Sequence, residues 1–164
     1  MCGILIVFSK KGHKLEKIRC LRAAEKLYNR GPDSFKFNFF RNDSLFISNT
    51  VLSITGKSSG KDLIRSKNNN FEISFNGQIY NYLDLKNRFI EKNRFYKNGS
   101  DTQLLVNLYE KINYEKIPDY LNGMFAYVIY DKQKDRLIIV NDTQGEKNLY
   151  YFESEDFFIV SSTI

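Results

Sequence analysis

The chain of 164 residues holds two cysteines and one histidine, so nucleophilic chemistry has few possible owners. Cys2 is the first candidate. It follows the initiator methionine directly, and a residue this small permits removal of Met1 by an aminopeptidase. The freed Cys2 would carry a thiol and an α-amine on one residue. That amine titrates near ~7.7–8.0, so it can accept the thiol proton at working pH without a histidine. On position alone, Cys2 could equally be a chance small residue at an ordinary N-terminus. Cys20 falls mid-helix and reads as a buried core thiol, and His13 falls in a polar turn and reads as solvated.

Two further groups could act on a carbonyl substrate. Asn76-Gly77 follows the alternating Phe71, Ile73 and Phe75. As a structural signal it is a tight hairpin turn. As chemistry it is an oxyanion hole: an amide side chain and an unobstructed backbone N–H, both donors to a tetrahedral oxyanion. In Gly99-Ser100-Asp101, Ser100 caps a helix and Asp101 complements its dipole. Asp101 could also hold a substrate ammonium.

The elements that would position these groups follow from periodicity. Gly3 to Phe8 reads as a buried strand, and Leu15 to Asn29 as a helix stopped by Arg30-Gly31-Pro32-Asp33. Phe35, Phe37 and Phe39 alternate with Lys36 and Asn38 as a half-buried strand. Leu45 to Asn49 is a second strand and Val51 to Ile54 a third, and residues 55–70 read as a long polar loop. A strand from Phe71 runs into Asn76-Gly77. A helix follows from Tyr82 to about Asn93. Ser100 with Gln103 has the capping-box pattern, opening a helix that lines up Leu104, Leu105, Leu108 and Ile112. Phe125–Tyr130 with Leu137–Val140, and Leu149–Phe152 with Phe157–Val160, read as hairpins. About eight strands and three helices, mostly hairpin-connected, point to an α+β layered sandwich.

Composition narrows the function classes. Hydrophobic residues make up 42% and charged ones 27%, ordinary for a globular domain, and two cysteines exclude a disulfide scaffold. One histidine excludes any two-histidine metal site, and no metal site is expected. The longest apolar run, Gly3 to Phe8, is too short to cross a bilayer, and no signal-peptide pattern is present, so the expected location is cytoplasmic and no membrane partner is expected. The net charge of +6 is uneven. Residues 1–70 carry 14 Lys and Arg against 5 Asp and Glu, while residues 71–164 carry 11 against 14. The lysines are dispersed, which reads as a solvated surface; nucleic-acid binding has only net charge behind it.

Taken in order, Met1-Cys2-Gly3-Ile4, Arg30-Gly31-Pro32-Asp33, Leu52-Ser53-Ile54, Asn76-Gly77-Gln78-Ile79-Tyr80-Asn81 and Gly99-Ser100-Asp101-Thr102 form one pattern. With Leu121-Asn122-Gly123-Met124-Phe125-Ala126, Asp142, Gly145, Lys147 and Leu149-Tyr150, it closely resembles the class II glutamine amidotransferase domain of glutamine-hydrolysing asparagine synthetases. The resemblance implies one domain over residues 2–164 with the αββα sandwich of N-terminal-nucleophile hydrolases. It implies that Cys2 attacks the glutamine side-chain amide and that Asn76 and Gly77 form the oxyanion hole. Asp101 would bind the substrate ammonium, Arg30 would stand beside the nucleophile, and Ser53 and Ile54 would line the pocket. Ammonia would pass to a synthetase domain or subunit. ATP and Mg²⁺ are expected only there, with no cofactor in this chain, because no Ser-Gly-Gly nucleotide loop is present. The chain reads as a fragment or a stand-alone subunit.

Three departures qualify the pattern. Val51 stands where the family has an Arg that grips the substrate carboxylate. Losing a charged hydrogen bond costs about 1.5–3 kcal/mol, and Val cannot replace a guanidinium fork. Gln78 stands where the family has a Glu near the ammonium. Asn141-Asp142-Thr143-Gln144-Gly145 keeps the Asp and Gly of its segment but lacks the Arg and Pro. Arg30, Arg41 or Lys57 would supply the missing positive charge. The alternatives are a hydrolase of a different amide and a non-catalytic partner or regulatory domain of the same fold.

Overall fold

The computed structural model describes residues 1–52, 63–89 and 100–164. Among these, nine strands and four α-helices occur in the order β1 (Gly3–Ser9), α1 (Lys17–Glu25), β2 (Ser34–Phe40), β3 (Leu45–Val51), β4 (Ile64–Arg65), β5 (Phe71–Ile79), α2 (Tyr82–Phe89), α3 (Asp101–Leu108), α4 (Ile117–Tyr120), β6 (Gly123–Asp131), β7 (Arg136–Asn141), β8 (Tyr150–Glu153) and β9 (Phe157–Ser161). They form two compact units. Residues 1–63 with 147–164 make the first, and residues 64–146 make the second.

The first unit is built on a five-stranded antiparallel sheet in the order β2-β3-β1-β9-β8. Its odd-numbered β2 residues turn to one face. There Phe35, Phe37 and Phe39 meet Phe46 and Leu5 under helix α1, which contributes Cys20 and Ala24. The helix is shorter than its periodicity predicts. It ends at Glu25 and is followed by a single 3-10 turn at Tyr28–Arg30. The expected separate strands at Leu45–Asn49 and Val51–Ile54 are one strand through Val51. Thr50, polar and apparently a break in the pattern, is buried and donates from Oγ1 to the Leu27 carbonyl at 3.0 Å. Cys20 is buried and His13 exposed, as expected.

The second unit carries a four-stranded antiparallel sheet in the order β4-β5-β6-β7. Ile73, Phe75, Ile79, Phe125, Tyr127 and Ile129 pack against Leu85 of α2, Leu104, Leu105 and Leu108 of α3, and Ile117 of α4. Two elements escaped the sequence reading: β4, two residues long, and α4, opened by Pro118 in its first turn. Helix α2 is described to Phe89, and the rest of its expected length lies outside the described residues. Ser100 caps α3, its Oγ accepting from the Gln103 N–H at 3.2 Å. The reciprocal half of the capping box is absent: the Gln103 side chain instead donates to the Arg65 carbonyl at 2.8 Å, fastening α3 to β4.

A tyrosine pair lies in this core. The Tyr109 and Tyr127 hydroxyls are 3.0 Å apart. Burial pushes the Tyr109 hydroxyl up to about 12, and burial with the neighbouring Tyr109 pushes Tyr127 higher still. An unfolded chain with tyrosines near ~10 releases protons that the fold retains, so stability falls as pH rises from about 10 towards 12. Ultraviolet titration of the folded protein should leave two of the 11 tyrosines un-ionised at pH 11. Complete ionisation in a still-folded protein would contradict this placement.

Candidate active site

The residues singled out by sequence fall in two clusters, one in each unit. In the first unit, β1 and β3 pair so that Gly3 faces Thr50 and Ile4 faces Asn49. Cys2, half-buried, immediately precedes β1. The Arg30 Nε–H donates to the Cys2 carbonyl at 3.2 Å. Its approach is set by the Arg-Gly-Pro-Asp turn. Gly31 passes so near β3 that a Cβ there would come within 2.4 Å of the Thr50 carbonyl carbon. Pro32 bridges Val51 in parallel, and the Asp33 N–H donates to the Val51 carbonyl at 3.0 Å. The Asn49 side chain donates to the Gly3 carbonyl at 2.9 Å. Cys2, Arg30 and Val51 are therefore gathered at one end of this sheet by the Arg30 side chain and by a close backbone approach that Gly31 permits.

The second cluster corrects the turn reading of Asn76-Gly77. No hairpin forms there. Strand β5 runs straight through both residues, Asn76 pairing with Ala126 and Gly77 with Phe125. Gly77 has φ of 144°, and a Cβ on it would come within 2.0 Å of the Met124 carbonyl oxygen. The glycine serves a close approach of two strands rather than a reversal of the chain. Asn76 is 1% exposed, on the sheet face opposite the helices, whereas Gln78 is exposed. Asp101 reaches this strand from the start of α3. Its Oδ2 accepts from the Ile79 N–H at 3.1 Å, and its Oδ1 accepts from the Thr102 N–H at 2.7 Å and from the Thr102 hydroxyl at 3.3 Å. These bonds use three of the roughly four acceptor sites of a carboxylate. The charge is thus fixed at the end of the Asn76–Gln78 segment. Asp142 shapes the loop after β7, accepting from the N–H groups of Phe125, Gln144 and Glu146.

Ser53, Ile54 and Lys57 lie outside the described residues. Arg41 is in the turn joining β2 and β3, at the opposite end of β3 from Val51, with its guanidinium 4.9 Å from the centroid of the Phe8 ring. Sequence reasoning missed Lys36. Its alternation with Phe35 and Phe37 reads as a solvent-facing lysine, yet it is only 6% exposed. No local sequence signal distinguishes the two.

The sequence profile of the glutamine amidotransferase domain family matches residues 1–164, and the chain belongs to that family. Its curated relatives include asparagine synthetases. One from Saccharomyces cerevisiae, asparagine synthetase [glutamine-hydrolyzing] 1, is 32% identical over 92% of this chain and 25% of its own length. A putative asparagine synthetase [glutamine-hydrolyzing] 2 from Methanocaldococcus jannaschii is 33% identical over the whole chain and 34% of its own length. The chain thus spans a quarter to a third of these relatives. The solved structure of glutamine phosphoribosylpyrophosphate amidotransferase from B. subtilis, complexed with ADP and GMP, matches with a TM-score of 0.76 at 20% identity. The match covers 98% of this chain and 42% of that one. That likeness shows the fold, α+β with antiparallel sheets, as the sequence led us to expect. No helix among the described residues is long and apolar enough to cross a membrane.

Proposed function

We propose that this domain hydrolyses the side-chain amide of L-glutamine through Cys2 and supplies the ammonia to a synthetase domain or subunit. The family match across residues 1–164 carries this reading. With Met1 removed, the Cys2 amine takes the thiol proton. The sulfur bonds to the amide carbon, and the negative charge that develops on oxygen meets the Asn76 side chain and the Gly77 N–H. The C–N bond then breaks and ammonia leaves with the transferred proton. Water adds to the thioester, releasing glutamate and restoring the thiol. Arg30 holds residue 2 by its carbonyl, and Asp101 receives the α-ammonium. The domain itself needs no cofactor for these steps; ATP and Mg²⁺ belong to the synthetase part. A reducing cytoplasm suits a working thiol.

Glutamate and ammonia released from L-glutamine test the reading, with Asp101→Asn as the informative variant. Asparagine keeps one acceptor oxygen, enough for the Ile79 N–H or for Thr102 but not both, and loses the charge, so KM should rise about 10-fold or more while the melting temperature falls only modestly. A processed wild-type protein that turns over no glutamine, alone or with its synthetase part, would defeat the proposal.

A further inference from the structure

Among the described residues the sheets end on four edge strands, β2 and β8 in the first unit and β4 and β7 in the second. An edge strand offers a row of unpaired N–H and C=O groups, and folded proteins guard it with charge, proline or brevity. Three of these edges are guarded. β2 carries the buried Lys36, β4 is two residues long and includes Arg65, and β7 opens with Arg136. β8 is the exception. It reads Tyr150-Tyr151-Phe152-Glu153, all four exposed, and its one charge, at the far end, is held by the Lys10 ammonium at 2.8 Å.

The aromatic residues here are open to solvent as well, from 40% at Phe157 of β9 to 74% at Tyr151, with Tyr150 and Phe152 between. The β8–β9 register sets Tyr150 opposite Ser161 and Phe152 opposite Ile159, so Tyr150, Phe152 and Phe157 share a face with Ile159. Ile159 packs against the core under α1, but that helix lies over β1 and β3, and the same face is bare at β8. Tyr151 is on the other face, stacked on Phe158 with ring centroids 6.1 Å apart. At these exposures the four aromatic residues leave roughly 400 Å² open, the size of patch that on a single chain often has a function. Doubled across a two-fold axis, with the outer backbone edge added, it reaches the roughly 1,000 Å² at which a weak but specific interface begins. With its single charge already paired, the patch also lets two copies of a chain of net charge +6 approach without setting like charges together.

We propose that β8 is a self-pairing edge: it joins β8 of a second copy of this chain, antiparallel across a two-fold axis, with the aromatic residues closing over the seam. β8 itself supplies what such a partner needs, an unguarded strand and a matching apolar surface. A two-fold axis sets the two strands antiparallel, so one patch serves both copies. The pairing does not depend on the glutaminase reading. Sedimentation velocity on the purified chain from about 1 to 500 µM tests it, with a monomer–dimer equilibrium in the micromolar range as the expected result. The dimer should strengthen as salt screens the repulsion between like-charged copies. Phe152→Lys should weaken it about tenfold or more. Ile18→Lys, which adds the same charge at a residue 60% exposed on α1, should leave it within about twofold. Amide hydrogen exchange at Tyr150–Glu153 should slow as the protein concentration rises. A monomer throughout the range overturns the proposal and leaves β8 to a different protein, such as a synthetase part. Association that Phe152→Lys leaves intact also overturns it, because the contact is then elsewhere. So does a dimer that salt weakens, because the basic half of one copy would then be meeting the acidic half of the other.

Discussion

Replacing Cys2 with alanine should lower glutamine hydrolysis by at least about 10³-fold, the scale on which removal of a nucleophile acts. The same change should abolish labelling by an electrophilic glutamine analogue, which on the processed wild-type protein adds one adduct by intact mass. The label can discriminate because the two thiols differ. Cys2 is half-buried, whereas Cys20 is buried on the inner face of α1 and its thiol is pushed up by that burial and by the nearby Glu16 charge. Labelling should therefore fall on one cysteine only. Structural collapse is not the expected cause of the loss, since Arg30 contacts the Cys2 carbonyl rather than its sulfur. An adduct that persists in Cys2→Ala, or turnover within tenfold of wild type, would take the chemistry away from the N-terminus.

The second large effect is on the scaffold. Gly77→Ala should destabilise the protein by about 3–5 kcal/mol, the range reserved for a clash that has no escape. A Cβ has no rotamer, and this one would come within 2.0 Å of the Met124 carbonyl oxygen and 2.6 Å of the Phe125 Cα. The φ of 144° disfavours an L side chain as well. Relief requires β5 and β6 to part at the rung that carries the expected oxyanion donors, so turnover should fall with stability. Gly12→Ala separates the two contributions. Gly12 has φ of 72° with nothing within 4 Å of an added Cβ, so its cost, about 1 kcal/mol, reports conformational strain alone. Thermal unfolding should place Gly77→Ala well below Gly12→Ala. Equal midpoints would mean the two strands are not this close.

Where local pattern and tertiary context agree, the elements were legible. Gly3–Phe8, the Phe35–Phe39 alternation and the Leu104–Leu108 helix face are elements whose own residues supply both periodicity and burial. The failures have a common cause. Asn-Gly is the strongest local hairpin signal, but at Asn76-Gly77 it was overruled by the nine-residue partnership of β5 with β6. Thr50 broke the apparent pattern of β3 because its burial depends on the distant Leu27 carbonyl. Gln103 had the right spacing for a capping box, yet its side-chain amide is turned to donate to the Arg65 carbonyl on β4. Lys36 illustrates the same point. Nothing within Phe35-Lys36-Phe37 says that the lysine face is the enclosed one; only the register with Asn49 and Ile4 does. Cys2, Asn76, Gly77 and Asp101 were singled out because their order along the chain follows a family pattern. How Asp101 is tied to Ile79 was not legible.

The bond from Arg30 to the Cys2 carbonyl bears on how this protein matures. Met1 is 58% exposed, while the following residues are already pinned: residue 2 by Arg30, Gly3 by the Asn49 side chain, and Ile4 by Ser162. None of these anchors uses the Cys2 thiol or the amine that trimming creates. On the proposed mechanism, excision of the initiator would free the amine of Cys2 at the head of a strand that these bonds already hold. A purification tag left on this end would give a well-folded protein with no working base for its thiol, silent for a reason that no melting curve could reveal.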